Sequence, residues 1–346
     1  MHIRIGVDAM GGDNAPRSVV EGVASFLKQN PTGPRVVLVG DGDLVRQELR
    51  SHALGEDSVD VVHAADVIGM EEEAVKALRR GRRDSSIGVL ARLLKAGEIQ
   101  GMVSAGNTGA VVASALVGVG RVQGVDRPAI AMYVPTAKQL AVVIDVGANL
   151  HCKPEHLLQF AHMGSVYSSW LIGTSSPRVG LLSMGEEPSK GTDTTVAAHE
   201  LLRSTDLNFI GNVEGRDILT GKADVVVCDG FVGNVVLKFA ESIATFFSTL
   251  VRQETRSSLL NRFGATLLRP ALSRFKAKMD YAEYGGAPLL GIAGICVISH
   301  GVSSPRAIGA AVSMAGGFVE AGFQEELERR MTRLACEQSN GGAGTC

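Results

Sequence analysis

Short, nearly unbroken apolar runs alternate with stretches of helical periodicity along most of the chain. The runs are IRIGVDA (3–9), RVVLVG (35–40), VDVVH (59–63), GMVS (101–104), AIAMYV (129–134), LAVVIDV (140–146), RVGLLSM (178–184), DVVVCD (224–229) and ICVIS (295–299). A strand that is apolar on both faces must be covered on both faces, which is the condition of a mostly parallel sheet between two helical layers. The pattern therefore predicts an α/β fold, a doubly wound, mostly parallel sheet sandwich. Between 234 and 284 the alternation stops, and the sequence predicts a long helix, a break near Pro270 and a second helical piece. That makes a helical hairpin projecting from a single domain of residues 1–336. Residues 337–346, small and polar, are expected to be disordered.

With 346 residues and 45% hydrophobic content the chain can bury a large core. A formal net charge of -2 supplies no basic field, which argues against a nucleic-acid partner. The five cysteines are scattered and never form a CxxC pair, so neither a disulfide framework nor a zinc knuckle is expected. A reducing cytoplasm fits. The start, MHIRIGVDAMGG, lacks the pattern of a secretory leader, and no apolar run reaches the roughly 18 residues of a spanning helix.

Five strands end in turns rich in Gly, Asp and Asn: DAMGGDNAP (8–16), SAGNTG (104–109), DVGAN (145–149), MGEEPSKGTD (184–193) and CDGFVGN (228–234). Ligands of open α/β sheets bind outside the carboxyl ends of strands, so the five turns are expected to converge on one cleft. Each alone is also what ordinary strand-to-helix punctuation looks like. In SAGNTG, Gly106 and Gly109 let backbone N–H groups face a ligand, Ser104, Asn107 and Thr108 add side-chain donors, and a helix N-terminus follows. This suits a phosphate. CDGFVGN repeats the logic with Gly230, Gly233 and Asn234, and Lys238 lies one turn on. Lys190 precedes a helix start at which Asp193 is the expected cap. Asp8 with Gly11 and Gly12, Asp145 with Asn149, and Asp229 occupy strand ends, where a carboxylate fixes a loop or steers a proton.

Other chemistries find no support. No GxGxxG follows the first strand, GEEPSKGT places its lysine before the glycine that a Walker loop needs first, and no GxSxG is present. HCKPEHL (151–157) has neither zinc spacing nor a carboxylate companion, and Pro154 reads as the start of a helix. No metal and no cofactor are expected.

VDAMGGDNAP, DSSIGVLARLLKAGEIQGMVSAGNTGA, RPAIA, DVGAN with CKPEHLLQFA, GEEPSKGTD, LTGKADVVVCDGFVGNVVLK and YGGAPLLGI together resemble the PlsX family, acyl-acyl carrier protein:phosphate acyltransferases of bacterial phospholipid synthesis. The likeness runs in order from about residue 3 to residue 320. Two positions depart from it: Ala74 where members often carry proline, and His151 where they often carry an acid. The resemblance implies attack of inorganic phosphate on the thioester of a long-chain acyl-acyl carrier protein, giving acyl phosphate for a glycerol-3-phosphate acyltransferase. It also implies a homodimer, peripheral contact with the inner face of the cell membrane from the cytoplasm, and a fold similar to phosphotransacetylases and isopropylmalate dehydrogenases.

Phosphate is a competent nucleophile and a thiolate a tolerable leaving group, so positioning and charge stabilisation suffice. Asp229, Lys190, Lys238 and His300 are the candidates to offset charge or move a proton. Cys228 is the alternative, covalent nucleophile, on a strand that reads as buried. The projection carries basic residues among Leu259, Leu260, Phe263, Leu267 and Leu268, a pattern for a bilayer surface or for a dimer's helix bundle. Arg79, Arg80, Arg82 and Arg83 form a second basic cluster, a solvated helix end or a docking face for the acidic carrier protein. Three other functions compete: a coenzyme A-dependent short-chain phosphate acyltransferase, a hydroxyacid dehydrogenase on a related fold, and a non-catalytic membrane scaffold for lipid enzymes.

Overall fold

A computed structural model describes residues 3–55, 58–72, 84–256, 261, 263–271 and 285–339. Among them, eleven strands form one sheet: β1 (Arg4–Asp8), β2 (Arg35–Gly40), β3 (Val59–His63), β4 (Gly101–Ser104), β5 (Ala129–Pro135), β6 (Leu140–Ile144), β7 (Val179–Leu182), β8 (Phe209–Val213), β9 (Val225–Val227), β10 (Ala287–Leu290) and β11 (Ile295–Ile298). Their order across the sheet is β3-β2-β1-β4-β11-β10-β5-β6-β9-β7-β8. One parallel half runs from β3 to β11 and another from β6 to β8; β10 is antiparallel to both β11 and β5, and β5 to β6. The doubly wound sandwich is thus two parallel halves joined through an antiparallel centre.

The helices are α1 (Arg17–Gln29), α2 (Gly42–Ser51), α3 (Ser86–Lys95), α4 (Thr108–Gly118), α5 (Pro154–Ile172), α6 (Asp193–Arg203), α7 (Gly215–Thr220), α8 (Gly230–Arg256), α9 (Pro305–Glu320) and α10 (Phe323–Ser339). Because side chains alternate along a strand, β2 sends Val36 and Leu38 to one apolar layer and Val37 and Val39 to the other. Both layers are buried, which is why the strands read as unbroken apolar runs.

Several expectations change. Thr192, not Asp193, caps α6, with its hydroxyl accepting from the Thr195 N–H, and Asp193 instead complements the helix dipole from the first turn. The C-terminal helix continues to Ser339, three residues into the stretch expected to be disordered, and an Arg333–Glu337 pair at 2.8 Å supports that last turn. Pro270 lies inside helical residues 263–271, so the break expected there is not seen among the described residues. By length and composition Gly230–Thr255 is apolar enough to cross a membrane, contrary to the reading from uninterrupted runs. It carries Lys238 and Glu241, ion-paired at 3.0 Å, and its first turn is built into the loops of the sheet.

Candidate active site

The turns after β1, β4 and β11 form one knot. Asp8, buried at the end of β1, accepts from Ser104 Oγ at 2.8 Å and from the Met10 N–H at 3.1 Å. Ser104 Oγ in turn accepts from the Gly106 N–H at 3.1 Å. Gly11 permits this approach, since a Cβ there would lie 2.7 Å from both Asp8 Oδ2 and Gly106 N. Gly12 turns the chain with φ 104°, and Asp13 donates its N–H to the Gly301 carbonyl at 2.9 Å. Burial pushes the Asp8 carboxyl above its ordinary range, with Ser104 and the Met10 amide opposing the shift. Asp8 and Ser104 therefore frame the SAGNTG turn.

Asn107 has a different task from the one its sequence suggests. Its Oδ1 caps α4 by accepting from the Ala110 N–H at 3.1 Å, and its Nδ2 donates to the carbonyls of Met70 (2.8 Å) and Glu72 (3.0 Å). Both amide hydrogens are committed to holding the 70–72 segment over the turn. The first-turn N–H groups of Thr108 and Gly109 have no acceptor within the helix, the arrangement that suits an anion.

A second knot joins the turns after β6 and β9. Asp145 is fully buried; its Oδ1 accepts from the N–H groups of Ile130 (3.0 Å), Gly147 (3.2 Å) and Ala148 (3.0 Å). Its Oδ2 accepts from the Asn149 N–H (2.7 Å) and from Asn149 Nδ2 (2.9 Å). Burial raises the Asp145 pKa, and these donors oppose it. Asn149 Nδ2 also donates to the Pro128 carbonyl at 2.7 Å, so this amide too is already in use.

The glycines of CDGFVGN serve that packing. Gly230 donates its N–H to the Asn149 carbonyl at 2.8 Å, and a Cβ there would lie 2.7 Å from Asp145 Oδ2. A Cβ at Gly233 would overlap the Asp145 carbonyl oxygen and crowd Cys228 Sγ at 3.0 Å. Gly233→Ala is accordingly expected to cost about 1–3 kcal/mol of stability, the range for overpacking. An unchanged midpoint in chemical denaturation would show that the helix simply shifts. Asp229 caps α8, its Oδ1 accepting from the Val232 N–H at 2.8 Å. Both oxygens of Asp145 are thus engaged, and Asp229 is engaged through Oδ1.

Lys238 and His300 connect the elements that carry the two knots. Lys238 is two turns into α8, about 12 Å from Gly230 at 1.5 Å per residue, and its Nζ lies 3.4 Å from Nε2 of His300, in the loop after β11. Glu241 holds the same ammonium at 3.0 Å. Asn234 is exposed one turn before Lys238, beside Gly147, and its side chain makes no hydrogen bond among the described residues. Lys190 is exposed in the loop after β7. Its backbone is what the loop uses, donating to the Glu187 carbonyl and accepting from Ser183 Oγ. Arg79, Arg80, Arg82, Arg83, Leu259 and Leu260 lie outside the described residues. Phe263, Leu267 and Leu268 are exposed.

Sequence reasoning missed Met70, Glu72, Gly301 and Glu241. SHGVSS (299–304) has the same form as the other five turns, glycine just after a strand, and could have revealed Gly301. Asn107's grip on 70–72 bridges residues 35 and 37 positions apart and leaves no local signal.

Residues 3–326 match the family model described as fatty acid synthesis protein. A phosphate acyltransferase of Pelotomaculum thermopropionicum is 46% identical over 340 residues, 98% of each chain. One from Geobacter sulfurreducens is 47% identical over 329 residues, 95% of this chain and 94% of its own. Among solved structures, a phosphotransacetylase from Streptococcus pyogenes superposes with TM-score 0.62 at 18% identity, covering 92% of this chain and 94% of its own. EutD phosphotransacetylase from Staphylococcus aureus gives 0.58 at 15%, covering 91% and 94%. At such identities these two likenesses establish the fold alone.

Proposed function

The chain belongs to the fatty acid synthesis protein family and is a phosphate acyltransferase, and we propose that it moves a long-chain acyl group from the thioester of acyl carrier protein to inorganic phosphate by direct attack. The observation that carries the mechanism is the 3.4 Å approach of Lys238 Nζ to His300 Nε2 between the two halves of the sheet. A phosphate oxygen forms the new C–O bond, a tetrahedral oxyanion collapses, and the C–S bond breaks. Hydrogenphosphate gives up one proton and the departing thiolate takes up one, so the sum is acyl phosphate and thiol. Lys238 offsets phosphate charge, His300 carries the proton, and Asn234 Nδ2 is the free donor for the oxyanion.

Direct attack is favoured over an acyl-enzyme because Cys228 is a poor nucleophile. Burial first, then the Asp145 and Asp229 carboxylates, raise its thiol pKa well above the ordinary value. Its Sγ is turned to the Asp145 carbonyl at 3.5 Å.

The partners we propose follow from the same reading: acyl carrier protein as donor, a second copy of the chain in a homodimer, and a glycerol-3-phosphate acyltransferase that consumes the product. Exposed Phe239, Phe246, Phe247 and Leu250 on α8 support an apolar contact of that projection, with a dimer mate or the inner face of the membrane.

The test is mass-spectrometric detection of acyl phosphate from phosphate and either palmitoyl-acyl carrier protein or palmitoyl-coenzyme A. Faster turnover with the carrier protein is expected. Equal or faster turnover with the coenzyme A donor would favour the coenzyme A-dependent reading, and no product from either would leave the scaffold reading standing.

A further inference from the structure

We propose that a cavity between the end of α5 and the start of α10 is a second binding site, for an uncharged, planar, hydroxyl-bearing molecule of the nucleoside class. Its volume is about 450 Å³, within the range of small-molecule sites. Trp170 in its wall is sixteen positions (170 − 154) beyond Pro154, where α5 leaves the Asp145 knot. At 1.5 Å per residue that is about 24 Å, so the cavity is separate from the reaction site.

The wall determines the ligand class. Its charged residues are Asp206, Glu326 and Arg330. Arg330 donates from Nη1 and Nη2 to Asp206 at 3.0 and 2.6 Å and from Nε to His162 Nδ1 at 3.0 Å, while Glu326 is paired with Arg329 at 2.6 Å. Every charge is already matched, so a phosphate or carboxylate finds no spare cation there. What remains is neutral and of two kinds. Trp170 is half-buried and fixed by Phe318 at 4.4 Å between ring centroids, which offers a rigid aromatic surface. Around it stand the hydroxyls of Ser165 and Ser169, one turn apart on α5, with Ser176 and Asn208 opposite. Asn208 uses its Nδ2 on the Ser176 carbonyl at 3.2 Å, leaving its Oδ1 as an acceptor.

Trp170 is the only tryptophan in the chain, which makes its fluorescence a reporter of this cavity. The full chain is titrated with adenosine, and in parallel with adenosine monophosphate, for the wild type, Ser169→Leu and Asn208→Leu. Saturable quenching by adenosine, weakened roughly tenfold or more in a variant that still melts cooperatively, is expected, as is weaker binding of the monophosphate. Non-saturating quenching, an equal response in both variants, or tighter binding of the monophosphate would overturn the proposal. The two leucine variants fail independently, so a folding defect in one leaves the other to decide. Because the readout is binding rather than turnover, its failure is distinguishable from failure of the acyltransferase reading.

Discussion

Replacing Lys238 by methionine is expected to lower kcat about 10²–10³-fold, the loss typical of removing one preorganised charge or donor from a transition state. The reasoning is geometric. Within the described part of the site, Lys238 is the side chain on α8 that reaches across to the loop after β11, and it does so at 3.4 Å from His300. Methionine keeps most of the stem and removes the ammonium, so packing of the helix changes little. Glu241 shares that ammonium at 3.0 Å, and Glu241→Gln should therefore leave turnover intact or raise it. KM for phosphate should rise less than kcat falls if the charge acts mainly in the transition state. A Lys238→Met enzyme within about threefold of wild-type kcat would remove this lysine from the mechanism, and the acyl phosphate assay reads both constants.

Why that lysine was legible, and its neighbours less so, follows from how each signal is encoded. Lys238 stands one helical turn after the glycine-rich CDGFVGN stretch, a local pattern. Nine of the eleven strands were equally local, because burial on both faces demands apolar residues in sequence. The two missed strands lack that mark: β8 (FIGNV) holds Gly211 at φ 90° beside a shift in its register with β7, and β10 (APLL) is four residues containing Pro288. β10 is also one of the strands that make the sheet's centre antiparallel, and strand pairing depends on residues far apart in the chain. The site shows the same division. The glycines were found, but whether a glycine opens a space for a ligand or lets two loops touch depends on what lies opposite. Gly230 and Gly233 turned out to face the Asp145 loop. Asn107 and Asn149 were correctly placed at turns, yet their amides are taken by Met70, Glu72 and Pro128, partners no local pattern announces.

The stability that neutral His162 contributes is expected to fall by an amount on the order of 3 kcal/mol as pH drops from about 6.5 to about 4. This ring is 1% exposed, and its Nδ1 accepts from Arg330 Nε at 3.0 Å. Burial first, then the Arg330 charge, lowers its pKa to about 4, with Asp206 pulling the other way and Arg333 adding to the depression. In the unfolded chain the same ring titrates near 6.5. Between the two values the unfolded state binds a proton that the folded state refuses, so stability rises with pH across that window and is fully present above it. A tenfold difference in proton affinity between the two states is worth about 1.4 kcal/mol. His156, also lowered by burial, adds in the same direction. Asp60 with Arg35 and Asp206 with Arg330, held down by ion pairs, lose their contribution as pH falls from the ordinary carboxylate range, whereas Asp8 and Asp145, raised by burial, bind protons more readily folded than unfolded and oppose the histidine as pH falls. His162→Gln retains an acceptor for Arg330 without a titrating ring, so from pH 6.5 to 4.5 the urea midpoint of the wild type should fall relative to that of the variant. Midpoints that move in parallel for the two proteins over that span would mean that protonated His162 is accommodated between α5 and α10 without cost.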